Sequence, residues 1–211
     1  MGYTSADIKG IVSEIIESRK DKGGVKSIYF VGCGGSLGAL YPAKTFMEKE
    51  AAVLRSAWIS SNEFVHCTPK DFGENSVIVL ACHKGNTPET IKAAALGKQM
   101  GAAVILLTWL DESEIIEFGD YVIQYSFDAS PDHLAGDIDY AGEKTMCALL
   151  VAVELLAQTE GYENYDKFYE GVGLISNIIK NARKHVAERS LAFAKEYKDD
   201  PVIYTMGSGA A

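Results

Sequence analysis

The sequence predicts an α/β fold, a three-layer α-β-α sandwich around a five-stranded parallel sheet. Three observations carry that expectation. Short apolar runs alternate along the chain with longer segments of helical periodicity. The runs are nearly continuous, as in strands covered on both faces. Two of them break abruptly into glycine-bearing turns that feed a helix, and in an open parallel sheet ligands sit beyond the carboxyl ends of the strands.

Each element follows from its residues. Thr4 is placed to cap a helix whose Ile8, Ile11, Val12, Ile15 and Ile16 share one face, and Gly23-Gly24 stops it. Ser27 to Val31 is a buried strand, and Leu37 to Glu50 reads as a helix despite Pro42. Val53 to Ile59 reads as a strand and Ser61–His66 as a short polar helix. The third strand, Ser76 to Ala81, runs into Cys82–Pro88, followed by a helix from Glu89 to Met100 that Gly101 ends. Ala103 to Thr108 and Tyr121 to Tyr125 are the fourth and fifth strands, with a short acidic helix between them. Ser126 to Asp137 is a loop rich in Asp, Pro and Gly. Two long helices follow, Tyr140–Gln158 and Tyr165–Tyr197; in the second, Ile175, Ile178, Ile179, Ala182 and Val186 form an apolar stripe.

From Pro201 to Ala211 the chain reads as strand again. Gly32-x-Gly34 and Gly207-x-Gly209 both follow such a run and recur at one offset. The expected organisation is a first domain with flanking helices over 1–198 and a truncated second copy opening at 199–211.

Composition narrows the function. The 211 residues are 47% apolar and 23% charged, with a formal net charge of −9. An acidic chain without a dense Lys/Arg stretch does not attract nucleic acid by its overall field, so any anion must be recognised locally. Charges stand where a signal peptide needs an apolar run, and Cys147 to Leu156 is short for a bilayer and contains Glu154. A cytoplasmic protein without membrane or nucleic-acid partners is the expectation. Cys33, Cys67, Cys82 and Cys147 form no CxxC pair, so reduced thiols are expected and neither metal nor cofactor is called for.

Two loops carry chemistry. In Gly32-Cys33-Gly34-Gly35-Ser36, close glycines let backbone N–H groups approach a ligand at a helix N-terminus. A dinucleotide fingerprint would place Gly where Leu37 stands and an acidic residue where Ile59-Ser60 stands, and no Gly-Lys-Ser/Thr follows for a P-loop. In His83-Lys84-Gly85-Asn86-Thr87-Pro88-Glu89-Thr90, Gly85 permits a tight turn, Thr87 is placed to cap the helix and Pro88 suits its first position. A plain cap accounts for Thr87 and Pro88 but not for Lys84 and His83 beside them. Asn86 and Thr87 add neutral donors to the Lys84 charge, a combination suited to phosphate.

Strand, Gly-x-Gly-x-Ser, then strand and a loop of the form Ser-x-Ser-Gly-x-Thr-x-Glu-Thr resembles the SIS (sugar isomerase) family, over most of residues 25–160. Gly34 and Ser36 match the first motif; Gly85, Thr87, Glu89 and Thr90 match the second. The chain departs from the pattern where Cys82 and Lys84 replace the two loop serines. The resemblance implies a flavodoxin-like sheet, a sugar-phosphate ligand, no cofactor and a homo-oligomer, a dimer; the long helix Tyr165–Tyr197 is one element able to supply the contact. It assigns binding to Gly34, Gly35, Ser36, Cys82, His83, Lys84, Gly85, Asn86, Thr87 and Thr90, with Ser36 on sugar hydroxyls and the Cys82–Thr87 loop on phosphate. The deglycase branch is the nearest in pattern, acting on a fructosamine- or fructose-6-phosphate-type substrate through an enediol or enolamine.

Such chemistry needs a base near pH 7. His83, His133 and Glu143 are the candidates; a solvated loop accounts for His133 and the helix dipole for Glu143. The family's catalytic glutamate usually belongs to the second repeat, so no catalytic residue is named here. A non-catalytic sugar-phosphate sensor is the alternative reading, although no helix-turn-helix pattern accompanies the domain.

Overall fold

The computed structural model describes residues 5–110, 112–125 and 140–204. Its elements are α1 (Ser5–Arg19), β1 (Ser27–Gly32), α2 (Gly34–Glu50), β2 (Arg55–Ser60), α3 (Ser61–His66), β3 (Ser76–Ala81), α4 (Pro88–Gln99), β4 (Ala103–Thr108), β5 (Tyr121–Gln124), α5 (Tyr140–Thr159) and α6 (Tyr165–Tyr197). Short 3-10 turns follow α1 (Lys20–Lys22) and precede β5 (Glu114–Phe118). The five strands form one parallel sheet in the order β2-β1-β3-β4-β5. The expected sandwich is the observed one.

The continuous apolar runs are explained by burial on both faces. Ile28 and Phe30 of β1, Val77 and Val79 of β3, and Ile105 and Leu107 of β4 point into one core with α1, α2 and α5. Their neighbours Tyr29, Val31, Ile78, Leu80, Val104 and Leu106 point into the other, with α3 and α4. Strand side chains alternate faces, so a strand hidden on both sides is apolar nearly throughout; its polar residues sit at the strand ends and are hydrogen-bonded, Ser27 to Ser76 at 3.0 Å and Thr108 to the His83 carbonyl at 3.4 Å. β2 and β5 lie at the sheet edges and are less buried, with one fully covered residue between them, Ile123.

The differences from expectation sit at element ends. α2 begins at Gly34, three residues before Leu37, because Gly34 adopts a φ of +53° that lets the chain turn straight from β1 into the helix. β2 starts at Arg55: Ala52, Val53 and Leu54 give their N–H groups to the Glu160 carboxylate at 2.6–3.0 Å instead of to a strand. Residues 201–204 form no strand; Val202, Ile203 and Tyr204 are 50–86% exposed, and among the described residues no strand pairs with them. The apolar stripe of α6 is covered only in part: Ile175 and Ile179 are half-buried, while Ile178 is 59% and Val186 44% exposed. His133 and the loop Ser126–Asp137, with Thr4 and Gly207-x-Gly209, lie outside the described residues. Among the described residues no helix is long and apolar enough to cross a membrane.

Candidate functional site

The strand order reverses direction at β1 and β3, and the helices that follow these strands leave for opposite faces. Leu40, Ala43 and Met47 place α2 on one core, and Ala93 and Ala94 place α4 on the other. Diverging connections open a crevice at the carboxyl ends of the two strands, the usual binding position in such sheets. Both glycine-bearing loops end there.

The first loop is tight by necessity. A Cβ on Gly32 would come within 3.1 Å of the Leu37 nitrogen and 3.2 Å of the Ala81 carbonyl oxygen. Any side chain there would push the first turn of α2 and β3 apart by a few tenths of an ångström. Gly34 and Gly35 are exposed in that turn and Ser36 is half-buried.

The second loop turns at Gly85, whose φ is +65° and whose N–H donates to the Cys82 carbonyl at 3.2 Å. Lys84 and Asn86 are exposed at its tip, and Thr87 is half-buried. Thr87 occupies the residue before α4, but its hydroxyl makes no cap bond; its carbonyl accepts from Thr90 and Ile91 at 3.0 Å. The expected side-chain cap is therefore absent. Cys33 before α2 also makes none, whereas Ser60 caps α3 by accepting from the Glu63 N–H at 3.3 Å. The helices α2 and α4 thus bring first-turn N–H groups to the crevice with no side-chain cap on them, and helix N-termini in this state favour anions.

Not every residue marked in the sequence faces that crevice. Cys82 is 2% exposed and its side chain belongs to the α3–α4 core. Thr90 is 1% exposed; its hydroxyl bonds Ser61 at 2.9 Å and donates to the Cys33 sulfur at 3.7 Å. It ties the two loops together. Glu143 lies in the first turn of α5.

His83 is held between aromatic rings. Its ring stacks on Trp109 at 5.5 Å and on Tyr125 at 5.8 Å, and Nδ1 shares a 2.8 Å hydrogen bond with the Tyr125 hydroxyl. Burial lowers its pKa below the usual histidine value, and the Lys144 and Lys84 charges lower it further. The imidazole is neutral near pH 7.

Lys144 also reaches the crevice, although nothing in the sequence marked it. It projects from α5, is 3% exposed, donates to the Ser36 hydroxyl at 3.0 Å and lies 5.7 Å from the Tyr125 ring centre. Burial lowers its pKa, and the nearby Cys82 thiol opposes that shift. In the sequence Lys144 looks like an ordinary polar residue near a helix start; its one local signal is the apolar run that follows it. The crevice can accept an anion on backbone N–H groups, two hydroxyls and two lysines. Among the described residues no group of three or more His, Cys, Asp or Glu side chains is placed to hold a metal.

Residues 24–157 match the SIS domain. The chain is similar to the fructosamine deglycase FrlB of Bacillus subtilis strain 168, at 32% identity over 210 residues, covering all of this chain and 62% of that protein. It is 24% identical over 203 residues to the fructoselysine 6-phosphate deglycase of Escherichia coli K12, covering 96% of this chain and 55% of the other. A crystal structure from Salmonella typhimurium LT2, described as that of a candidate phosphosugar isomerase, superimposes with a TM-score of 0.88 at 38% identity. It covers 99% of this chain and 60% of that one. The chain therefore spans roughly three fifths of the length of these relatives.

Proposed function

This chain belongs to the SIS domain family, and from that premise we propose that it seats the phosphate of a fructose- or fructosamine-6-phosphate-type ligand at the β1/β3 crevice, within an isomerase or deglycase. One observation carries the reading. Two helix N-termini without side-chain caps meet across the strand-order reversal, in a chain whose net charge is −9 and which cannot attract an anion by its overall field. The deglycase names of two relatives support an amine-bearing sugar phosphate as substrate.

In this reading the phosphate lies against the 84–87 turn and the first turn of α2. Charge-assisted bonds to a phosphate contribute roughly 1.5–3 kcal/mol each, so three or four anchor the ligand even in a solvent-open crevice. Ser36 faces the sugar hydroxyls. Proton transfer between C1 and C2 passes through an enediol or enolamine, and the groups that carry it include a carboxylate of a second SIS copy, whose opening we read in Gly207-x-Gly209. The proposal extends to a cytoplasmic homodimer.

A thermal-shift comparison of fructose 6-phosphate with fructose tests the binding. A ligand at 100 times its Kd stabilises by about 2.7 kcal/mol, a readily measured rise in Tm. The phosphorylated sugar is expected to raise the Tm and fructose to leave it unchanged. Equal shifts from both sugars would count against a phosphate seat.

A further inference from the structure

Lys144 is in an electrostatically unfavourable position as the protein stands. It is 3% exposed, and among the described residues no carboxylate forms a salt bridge with it. A buried ammonium without a counter-charge is costly, because one hydroxyl does not replace its lost hydration. Its partner makes matters worse. Ser36 is the third residue of α2, so the 3.0 Å bond from Nζ to Oγ brings the cation against the positive end of a 17-residue helix. Helix dipoles favour cations at the opposite end. The neighbouring groups give only weak relief: the Tyr125 ring face lies 5.7 Å away and Cys82 acts in the favourable sense, but His83 is neutral near pH 7 and Lys84 on the tip of the next loop is a second cation.

Each of these penalties reverses when an anion enters. A dianion at the first turn of α2 pairs with the ammonium, meets the helix dipole with the right sign, and replaces the missing hydration. Coulombic pairing is strong where water is excluded and weak where it is not, so burial also ranks the two lysines. Lys84, exposed at the loop tip, is screened; Lys144 is not.

We infer that Lys144 is the principal counter-charge of the ligand's anionic group, ahead of the exposed Lys84, and that the ligand-free protein carries it at a cost to stability. The inference rests on the anion seat proposed above. It assigns a binding role to α5, which contributes nothing to either glycine-bearing loop.

Calorimetric titration of the 211-residue chain with inorganic phosphate and with fructose 6-phosphate, together with ligand-free melting curves, tests it. Lys144→Met keeps the length and apolar stem of the side chain and removes the charge. The variant is expected to melt at the same or a higher temperature without ligand, and to lose on the order of 30-fold or more in affinity for both probes. Lys84→Ala is expected to lose about five-fold or less. A lysine with a merely structural role would lower the ligand-free Tm when removed. The inference is overturned if Lys144→Met binds fructose 6-phosphate within about threefold of the parent, or if Lys84→Ala shows the larger loss. If the parent chain binds neither probe, the anion seat itself fails, a separate and recognisable result. Should Lys144→Met not unfold cooperatively, Lys144→Gln, which keeps a donor for Ser36, is judged by the same affinities.

Discussion

At Gly85 the backbone adopts φ +65°, and a Cβ there would stand 2.0 Å from the Ser113 hydroxyl oxygen and 2.5 Å from its Cβ. The turn is thus wedged against the segment between β4 and β5, and the Ile115 N–H closes it by donating to the Gly85 carbonyl at 3.2 Å. Substitution meets two obstacles, an unfavourable backbone angle and an occupied space. Gly85→Ala is expected to lower stability by roughly 2–4 kcal/mol, measured by urea denaturation. Ser113→Gly in the same background should recover part of the loss, because it removes the clash but not the strained angle. Equal stability of Gly85→Ala and the parent would contradict the turn described here. Gly85 was legible in the sequence because the loop's pattern requires a tight turn. The place of Lys144 in the crevice was not, since it arises from a contact 108 residues distant, between the start of α5 and the first turn of α2.

The element that most needs an anchor is α6. Its first turns pack Phe168 and Tyr169 against the core, while Leu174, Ile178, Leu191 and Phe193 are all more than half exposed. What holds the start of α6 is polar. Glu154 of α5, 1% exposed, accepts from the Tyr165 hydroxyl at 2.6 Å, the Tyr169 hydroxyl at 2.5 Å and Gln158 Nε2 at 3.0 Å. Those bonds raise the pKa of both tyrosines, after burial as the larger cause. Tyr169→Phe removes one donor from a buried carboxylate and should lower stability by about 1–3 kcal/mol in urea denaturation. A change below a few tenths would mean that the Glu154 cluster does not secure the helix. The bounds of α6, β3 and β4 were readable because each is a long or uninterrupted pattern, and those of α3 because Ser60 caps its start. The starts of α2 and β2 were not. Helix propensity argues against Gly34-Gly35 as a helix start, and the Glu160 carboxylate that diverts residues 52–54 lies about a hundred residues along the chain.

For the whole molecule, sheet order decides where chemistry is possible. Residues 27–124 place two helix N-termini side by side at one reversal of direction, and the acidic remainder leaves recognition of an anion to that point. The sequence exposed the two loops and their glycines, since turns of this kind have few chemical solutions. It did not expose the third contributor, because α5 reaches the crevice only through tertiary packing. The reading of Thr87 as a side-chain cap failed for a related reason: a residue suited to capping can leave its hydroxyl uncommitted beside a site that favours an anion.

The most direct measurement is a crystal structure of the chain grown with fructose 6-phosphate. The account predicts phosphate density between the first turn of α2 and the 84–87 turn, with Lys144 Nζ within hydrogen-bond distance of a phosphate oxygen. Phosphate bound on another face of the molecule, with this crevice filled by solvent alone, would contradict it.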